Sequence, residues 1–138
     1  MGWSRYGNQR LSSAEQHGGK SSLELVGDGK GFCSVFPMGE EKDGLSWLQV
    51  KPITTYVLRF WYKVRPNGEP LTLNVFTNKR GLTGEAWSTR LVAPDWCEYR
   101  LKFVTTVDEN RFGVYLYPYY SNRDGGLWVD DIGLYEAE

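Results

Sequence analysis

The sequence predicts an all-β domain, a sandwich or barrel of short strands, and three observations point there. Apolar and polar residues alternate with period two wherever the chain is regular, and no segment sustains an i, i+3, i+4, i+7 stripe over three turns. Turn-forming clusters recur at 27–31, 39–44, 79–84, 108–110 and 121–126, which spaces the regular segments by about 8 to 15 residues. Glycine and proline number 22 and aromatics 21 in a chain of 138, both heavy for a small domain. Many short strands joined by turns favour a sandwich or barrel over a βαβ fold. Residues 1–138 make one domain, with no repeat, low-complexity tract or interdomain linker, so a two-domain enzyme is excluded.

The strand of 56–64 is the clearest: Tyr56, Leu58, Phe60 and Tyr62 fall on one face, and Val57, Arg59, Trp61 and Lys63 on the other. Arg65-Pro66-Asn67-Gly68-Glu69-Pro70 follows, and its Asn-Gly pair suits a tight turn with positive φ, so a β-hairpin into a strand of 71–78 is expected. Shorter strands are expected at 21–26, 32–36, 45–51, 86–92, 99–107, 111–118 and 127–135.

Sixteen Lys and Arg against 17 Asp and Glu leave a formal charge of -1, which argues against nucleic acid or an anionic membrane as partner. No stretch of 18 apolar residues offers a transmembrane helix. The first residues lack a signal peptide's apolar core and Gly7 breaks a myristoylation pattern, so the chain reads as an excerpt of a longer protein. Cys33 and Cys97 are too few for a disulfide framework and too far apart for a zinc site. Two buried free thiols are favoured over one disulfide, because cysteine is among the most buried residue types.

Taking the aliphatic positions of each strand as inward leaves an unusual outward set. It comprises Trp47, Gln49 and Lys51; Arg59 and Trp61; Thr72, Asn74 and Phe76; and Tyr115 and Tyr117. A solvent face would carry Lys, Glu, Ser and Thr; large aromatics interleaved with amides and Arg mark a binding patch. A sugar fits it chemically, since the C–H faces of a pyranose pack on aromatic rings while its hydroxyls need in-plane partners such as Arg59, Gln49 and Asn74. The other readings are a second minicore under a loop and an interface to a neighbouring domain.

Catalysis has little material. The lone histidine, His17, lies in a polar turn-like run and reads as a surface-loop residue, which leaves Ser-His-Asp or Cys-His machinery one poorly placed base. A glycosidase needs two carboxylates about 5 to 9.5 Å apart, and no predicted aromatic-face position is acidic. The glycines of 27–31 lack the Gly-Lys-Ser/Thr of a phosphate loop and read as a hairpin turn. Asp130 and Asp131 are adjacent in a strand, so one carboxylate is directed to the packed side. It requires a calcium ion, backbone N–H donors or a basic partner.

Four segments together carry a family resemblance. They are His17-Gly18-Gly19-Lys20-Ser21-Ser22-Leu23-Glu24-Leu25; Thr55-Tyr56-Val57-Leu58-Arg59-Phe60-Trp61-Tyr62-Lys63-Val64; Trp96 just before the strand of 99–107; and Trp128-Val129-Asp130-Asp131-Ile132-Gly133-Leu134. In this order and spacing, over residues 17 to 135, the chain resembles the jelly-roll carbohydrate-binding modules of families 4, 9, 16 and 22, within the galactose-binding-like sandwiches. The resemblance implies an all-β, two-sheet antiparallel β-sandwich (jelly roll), a concave face that binds polysaccharide, and a structural calcium far from the ligand. Asp130, first of the closing pair, is the metal ligand it implies. Family members usually begin with an Asn-Gly-Phe-Glu-like segment whose Glu helps hold the metal, whereas this chain begins near the following Trp, here Trp3. The metal site would then be incomplete, or completed by Glu15 or carbonyls of residues 18 to 21.

The expected function is that of a non-catalytic carbohydrate-binding module, secreted or at the cell surface as part of a larger protein. It would hold a β-linked plant-type chain (β-glucan, glucomannan or xylan) and target a covalently attached glycoside hydrolase to it. Trp61 and Trp47 would stack on sugar rings, Phe76 would extend the aromatic patch, and Tyr115 and Tyr117 would wall the cleft. Arg59, Gln49 and Asn74 would bind hydroxyls. The rival expectation is a structural β-sandwich whose aromatic face packs on a neighbouring domain.

Overall fold

The computed structural model describes the backbone of residues 3–6, 8–12, 17–19, 22–26, 34–37, 40–42, 45–66, 70–83, 89–118 and 126–137, and the side chains of 17–19, 47–66, 70–83, 91–116 and 126–137. Among these residues there are twelve strands and no helix. The strands are β1 (Trp3–Tyr6), β2 (Asn8–Ser12), β3 (Ser22–Val26), β4 (Ser34–Pro37), β5 (Glu40–Lys42), β6 (Leu45–Gln49), β7 (Thr55–Val64), β8 (Leu71–Thr77), β9 (Thr89–Leu91), β10 (Cys97–Val104), β11 (Arg111–Pro118) and β12 (Leu127–Glu136). They form two antiparallel sheets, as expected of a β-sandwich.

The five-stranded sheet runs β10-β7-β12-β3-β2. In the seven-stranded sheet β11 pairs along one edge with β8 from Phe112 to Pro118, and β9 lies beyond β8. The other edge of β11 is shared: Arg111 and Phe112 meet β6, and Leu116 meets β4, with β5 and β1 outside them.

Between the sheets lies one apolar layer. Leu58, Phe60, Tyr62 and Val64 of β7 face Leu71, Leu73 and Val75 of β8 and Phe112, Val114 and Leu116 of β11, all buried. Each large apolar side chain so buried contributes about 1.5 to 3 kcal/mol.

Three expectations require correction. β7 and β8 are not a hairpin, since they lie in different sheets and bury their aliphatic faces against each other. The connection between them contains Pro66 and Pro70 and crosses from sheet to sheet; Asn67 and Gly68 lie outside the described residues. Short strands β1, β2 and β5 were not foreseen, β5 falling in the segment of 39–44 assigned to a turn. Cys97 is a free thiol but an exposed one, because it opens the edge strand β10. Cys33 and the glycine turn of 27–31 lie outside the described residues.

One end of the sandwich is fastened by a buried carboxylate. Glu109 is fully buried, and Arg80 grips it with Nε on Oε2 (3.0 Å) and Nη2 on Oε1 (3.1 Å). The Thr106 backbone N–H donates to Oε1 (2.7 Å) and the Thr77 hydroxyl donates to Oε2. Burial pushes this carboxyl up, but the bonds from Arg80, Thr77 and Thr106 outweigh it and bring the pKa from 4.5 to about 2. A depressed folded-state pKa contributes stability that is present above the unfolded value and lost as pH falls through the folded one. Arg80 is half exposed, and after allowance for screening the effect is on the order of 2 kcal/mol. Urea unfolding is therefore expected to show that much stability lost between about pH 4.5 and about pH 2, and Glu109→Gln should flatten the slope relative to the wild type. Equal slopes would show that the network does not bias the fold.

Candidate functional site

The outer face of the seven-stranded sheet gathers a set of aromatic and polar side chains that the core leaves over. In β11 the inward residues are Phe112, Val114 and Leu116, so Arg111, Gly113 and Tyr115 turn outward. Register then fixes their neighbours: Gln49 lies opposite Arg111, Phe76 opposite Gly113, Asn74 opposite Tyr115 and Thr72 opposite Tyr117.

The Phe76 ring lies across Gly113, whose Cβ, if present, would come within 2.4 Å of Cε2 and 2.5 Å of Cζ. Trp47 packs edge-on to this ring at 5.3 Å between centroids, and Tyr115 packs on it at 5.4 Å. The Arg111 guanidinium lies over the Trp47 ring, with Cζ 5.4 Å from the centroid. The row is not an open platform, because Trp47 and Phe76 are only 8% and 7% exposed. Gln49 is exposed, and Asn74, Arg111 and Tyr115 are half-buried. Burial pushes the Tyr115 phenol above its usual range, so near neutral pH it both donates and accepts hydrogen bonds. Two shielded polar atoms, Thr72 Oγ1 and Arg111 Nε, have no hydrogen-bond partner.

Of the residues expected to form one ligand site, Trp47, Gln49, Asn74, Phe76, Tyr115 and Tyr117 belong to strands of this sheet. Tyr117 shares the parity of Tyr115, and its side chain lies outside the described set. Arg59 and Trp61 do not join them, since β7 belongs to the five-stranded sheet and turns them to the opposite side of the molecule. Thr72 was seen as outward but not as part of the site, and Arg111 was missed. Its signal was the parity it shares with residues 113, 115 and 117.

On the five-stranded side the aromatics are already used. His17 stacks on Trp61 at 3.8 Å and 13°, with Trp96 edge-on to the imidazole at 5.8 Å. His17 is therefore no free loop residue, and it occupies the ring face on which a sugar was expected. Arg59 sits over Tyr135, 5.2 Å from the ring centroid. His17 Nδ1 meets Asp131 Oδ2 at 2.9 Å, and Asp131 takes φ of 52° where β12 bulges between Asp130 and Gly133.

The Asp130 carboxylate accepts from the backbone N–H of His17 (3.0 Å) and Gly18 (3.1 Å) at Oδ2, and of Asp131 (2.9 Å) at Oδ1. This is the donor solution that the sequence left open beside calcium. Among the described residues these N–H groups are the partners Asp130 has, and no three His, Cys, Asp or Glu side chains converge. Glu15 and residues 20 and 21 lie outside them.

No protein-family model and no curated protein matches the chain. Solved structures do match. A family 16 carbohydrate-binding module superposes with a TM-score of 0.65 at 22% identity, over 91% of this chain and 84% of that one. The CBM22-1 xylan-binding domain of Paenibacillus barcinonensis Xyn10C gives 0.63 at 12%, over 99% and 86%. TmCBM61, solved with β-1,4-galactotriose, gives 0.62 at 13%, over 98% and 88%. The chain has the β-sandwich fold of the carbohydrate-binding modules.

Two substitutions test these assignments. Gly113→Ala forces the Phe76 ring off the strand and should cost about 1 to 3 kcal/mol in thermal unfolding, with near-ultraviolet dichroism changing as the row repacks. Asp130→Ala leaves three N–H donors without an acceptor and should cost about 2 kcal/mol; an unchanged melting temperature would rule out the clasp.

Proposed function

We propose that this domain is a non-catalytic carbohydrate-binding module that holds a β-linked polysaccharide chain on the outer face of the seven-stranded sheet. Trp47, Phe76 and Tyr115 would line it, Tyr117 would extend it, and Gln49, Asn74, Thr72 and Arg111 would meet hydroxyls. The observation that carries this reading is the pairing of a packed aromatic row with shielded polar atoms, Thr72 Oγ1 and Arg111 Nε, that find no partner within the protein. Most buried polar groups in a folded domain are satisfied; Trp128 Nε1 on the five-stranded sheet is also left open, but the two on this aromatic face are what a hydroxyl-rich ligand would complete. The fold shared with carbohydrate-binding modules supports the same reading.

Its biological effect would be proximity. As part of a larger secreted or cell-surface protein, the domain would raise the effective concentration of an attached catalytic domain at the polymer. β-Glucan, glucomannan and xylan remain the proposed ligand classes, to which the likeness to TmCBM61 adds β-1,4-galactan.

Affinity electrophoresis of the full chain through gels containing each polymer tests the proposal. At least one polymer is expected to retard the wild type, with retardation reduced severalfold in Tyr115→Ala and kept in Arg59→Ala on the opposite sheet. Free migration in every gel would overturn it, as would a loss confined to Arg59→Ala.

A further inference from the structure

Arg111 opens β11 on the outer face, directly across from Gln49. Its backbone N–H is held by Asn78 Oδ1 at 3.1 Å. The guanidinium has no such anchor. It lies over the Trp47 ring, its Nε is shielded from solvent without a hydrogen-bond partner, and it makes no ion pair among the described residues. Arg80 forks onto Glu109 and Arg100 lies 3.8 Å from Glu98, whereas Arg59 on the opposite sheet lies, like Arg111, over a ring, that of Tyr135.

A half-buried cation with an unused planar donor set needs a partner that supplies both acceptors and negative charge. A sugar hydroxyl supplies one acceptor and leaves the charge uncompensated. A carboxylate supplies two coplanar acceptors and the charge together. We infer that the outer face of the seven-stranded sheet selects an acidic glycan, with Arg111 receiving the carboxylate of a uronic acid. This rests on the carbohydrate-binding reading above and names the class of polymer.

The second unpartnered atom, Thr72 Oγ1, limits how acidic that polymer should be. Thr72 is in register with Tyr117, six residues along β11 from Arg111, or roughly 20 Å at about 3.3 Å per residue. Between them stand Gln49, Asn74, Phe76 and Tyr115, a set suited to neutral sugars. Among the described side chains of this face the one cation stands at one end, which fits a neutral β-linked main chain bearing sparse uronic acid substituents better than a continuous polyuronate; register also places Arg90 opposite Thr72 and Glu40 opposite Trp47.

The test compares glucuronoxylan with the same polymer after reduction of its carboxyl groups, by affinity electrophoresis and calorimetry of the full chain at about 0.15 M salt, where surface attraction is screened. The wild type is expected to bind the native polymer about tenfold more tightly. Arg111→Gln should bring the ratio to about one, and Arg111→Lys, which keeps the charge without the fork, should fall between. Equal wild-type affinities for the two polymers would overturn the acidic preference while leaving carbohydrate binding intact, and a preference that survives Arg111→Gln would overturn the role of Arg111. Binding to neither of these, nor to any neutral polymer above, would remove the carbohydrate reading itself and this inference with it.

Discussion

One apolar layer shared by two sheets governs the rest of the molecule. Phe103 of β10 stacks on Phe112 of β11 at 5.3 Å and 7° across the gap, and the inward residues of β7, β8, β11 and β12 close around the pair. Because a strand has only two faces, committing one to this layer sends every alternate side chain to one of two outer surfaces. The aromatics left there cannot add to the core, so they pack on each other, on glycines or under loops. Gly113 beneath Phe76 and Gly133 beneath Tyr135 show the same device on opposite sides: an absent side chain lets a ring lie flat on the backbone.

Much of this was legible in the sequence, and the part that was not has one cause. Period-two alternation states correctly which side chains of β7, β8 and β11 face the core, and the spacing of turns gives the fold class. Alternation does not state which sheet a strand joins. Leu58 and Leu71 are inward by the same pattern, yet their strands face each other across the layer instead of lying side by side. The Asn-Gly pair between them reinforced the error, and from it came the merging of Arg59 and Trp61 with Phe76 and Tyr115 into one surface. The His17 clasp was beyond reach for another reason. Its bonds to Asp130 and Asp131 span 113 and 114 residues, and no local pattern encodes contacts of that separation.

The two outer faces also differ in how their aromatics are partnered. Around Trp61 the polar partners are used: the imidazole stacks on the ring and meets Asp131, while Asp130 collects backbone donors. Around Trp47 the rings are comparably packed, but Arg111 Nε and Thr72 Oγ1 stay open. Composition alone does not separate these surfaces, since both present large aromatics beside charged or polar neighbours. Satisfaction of the polar groups separates them by degree: Trp128 Nε1 is also shielded without a partner on the five-stranded sheet, whereas two such atoms stand on the Trp47 side, and a shielded donor without an acceptor is costly to keep unless something outside the chain completes it.

That distinction changes where affinity would come from. Rings turned edge-on to each other, with Trp47 8% and Phe76 7% exposed, offer little flat area, so stacking has less to contribute here than on an open tryptophan. What the packing would supply is preorganisation: rings already fixed would lose little rotamer freedom if a ligand bound. On the proposed reading, selectivity would then fall to the polar groups, which would discriminate through the cost of leaving them unpaired. A chain that satisfied Arg111 at one end and Thr72 at the other would gain on both counts. A chain that merely lay across the rings would leave the same shielded atoms as unsatisfied as it found them.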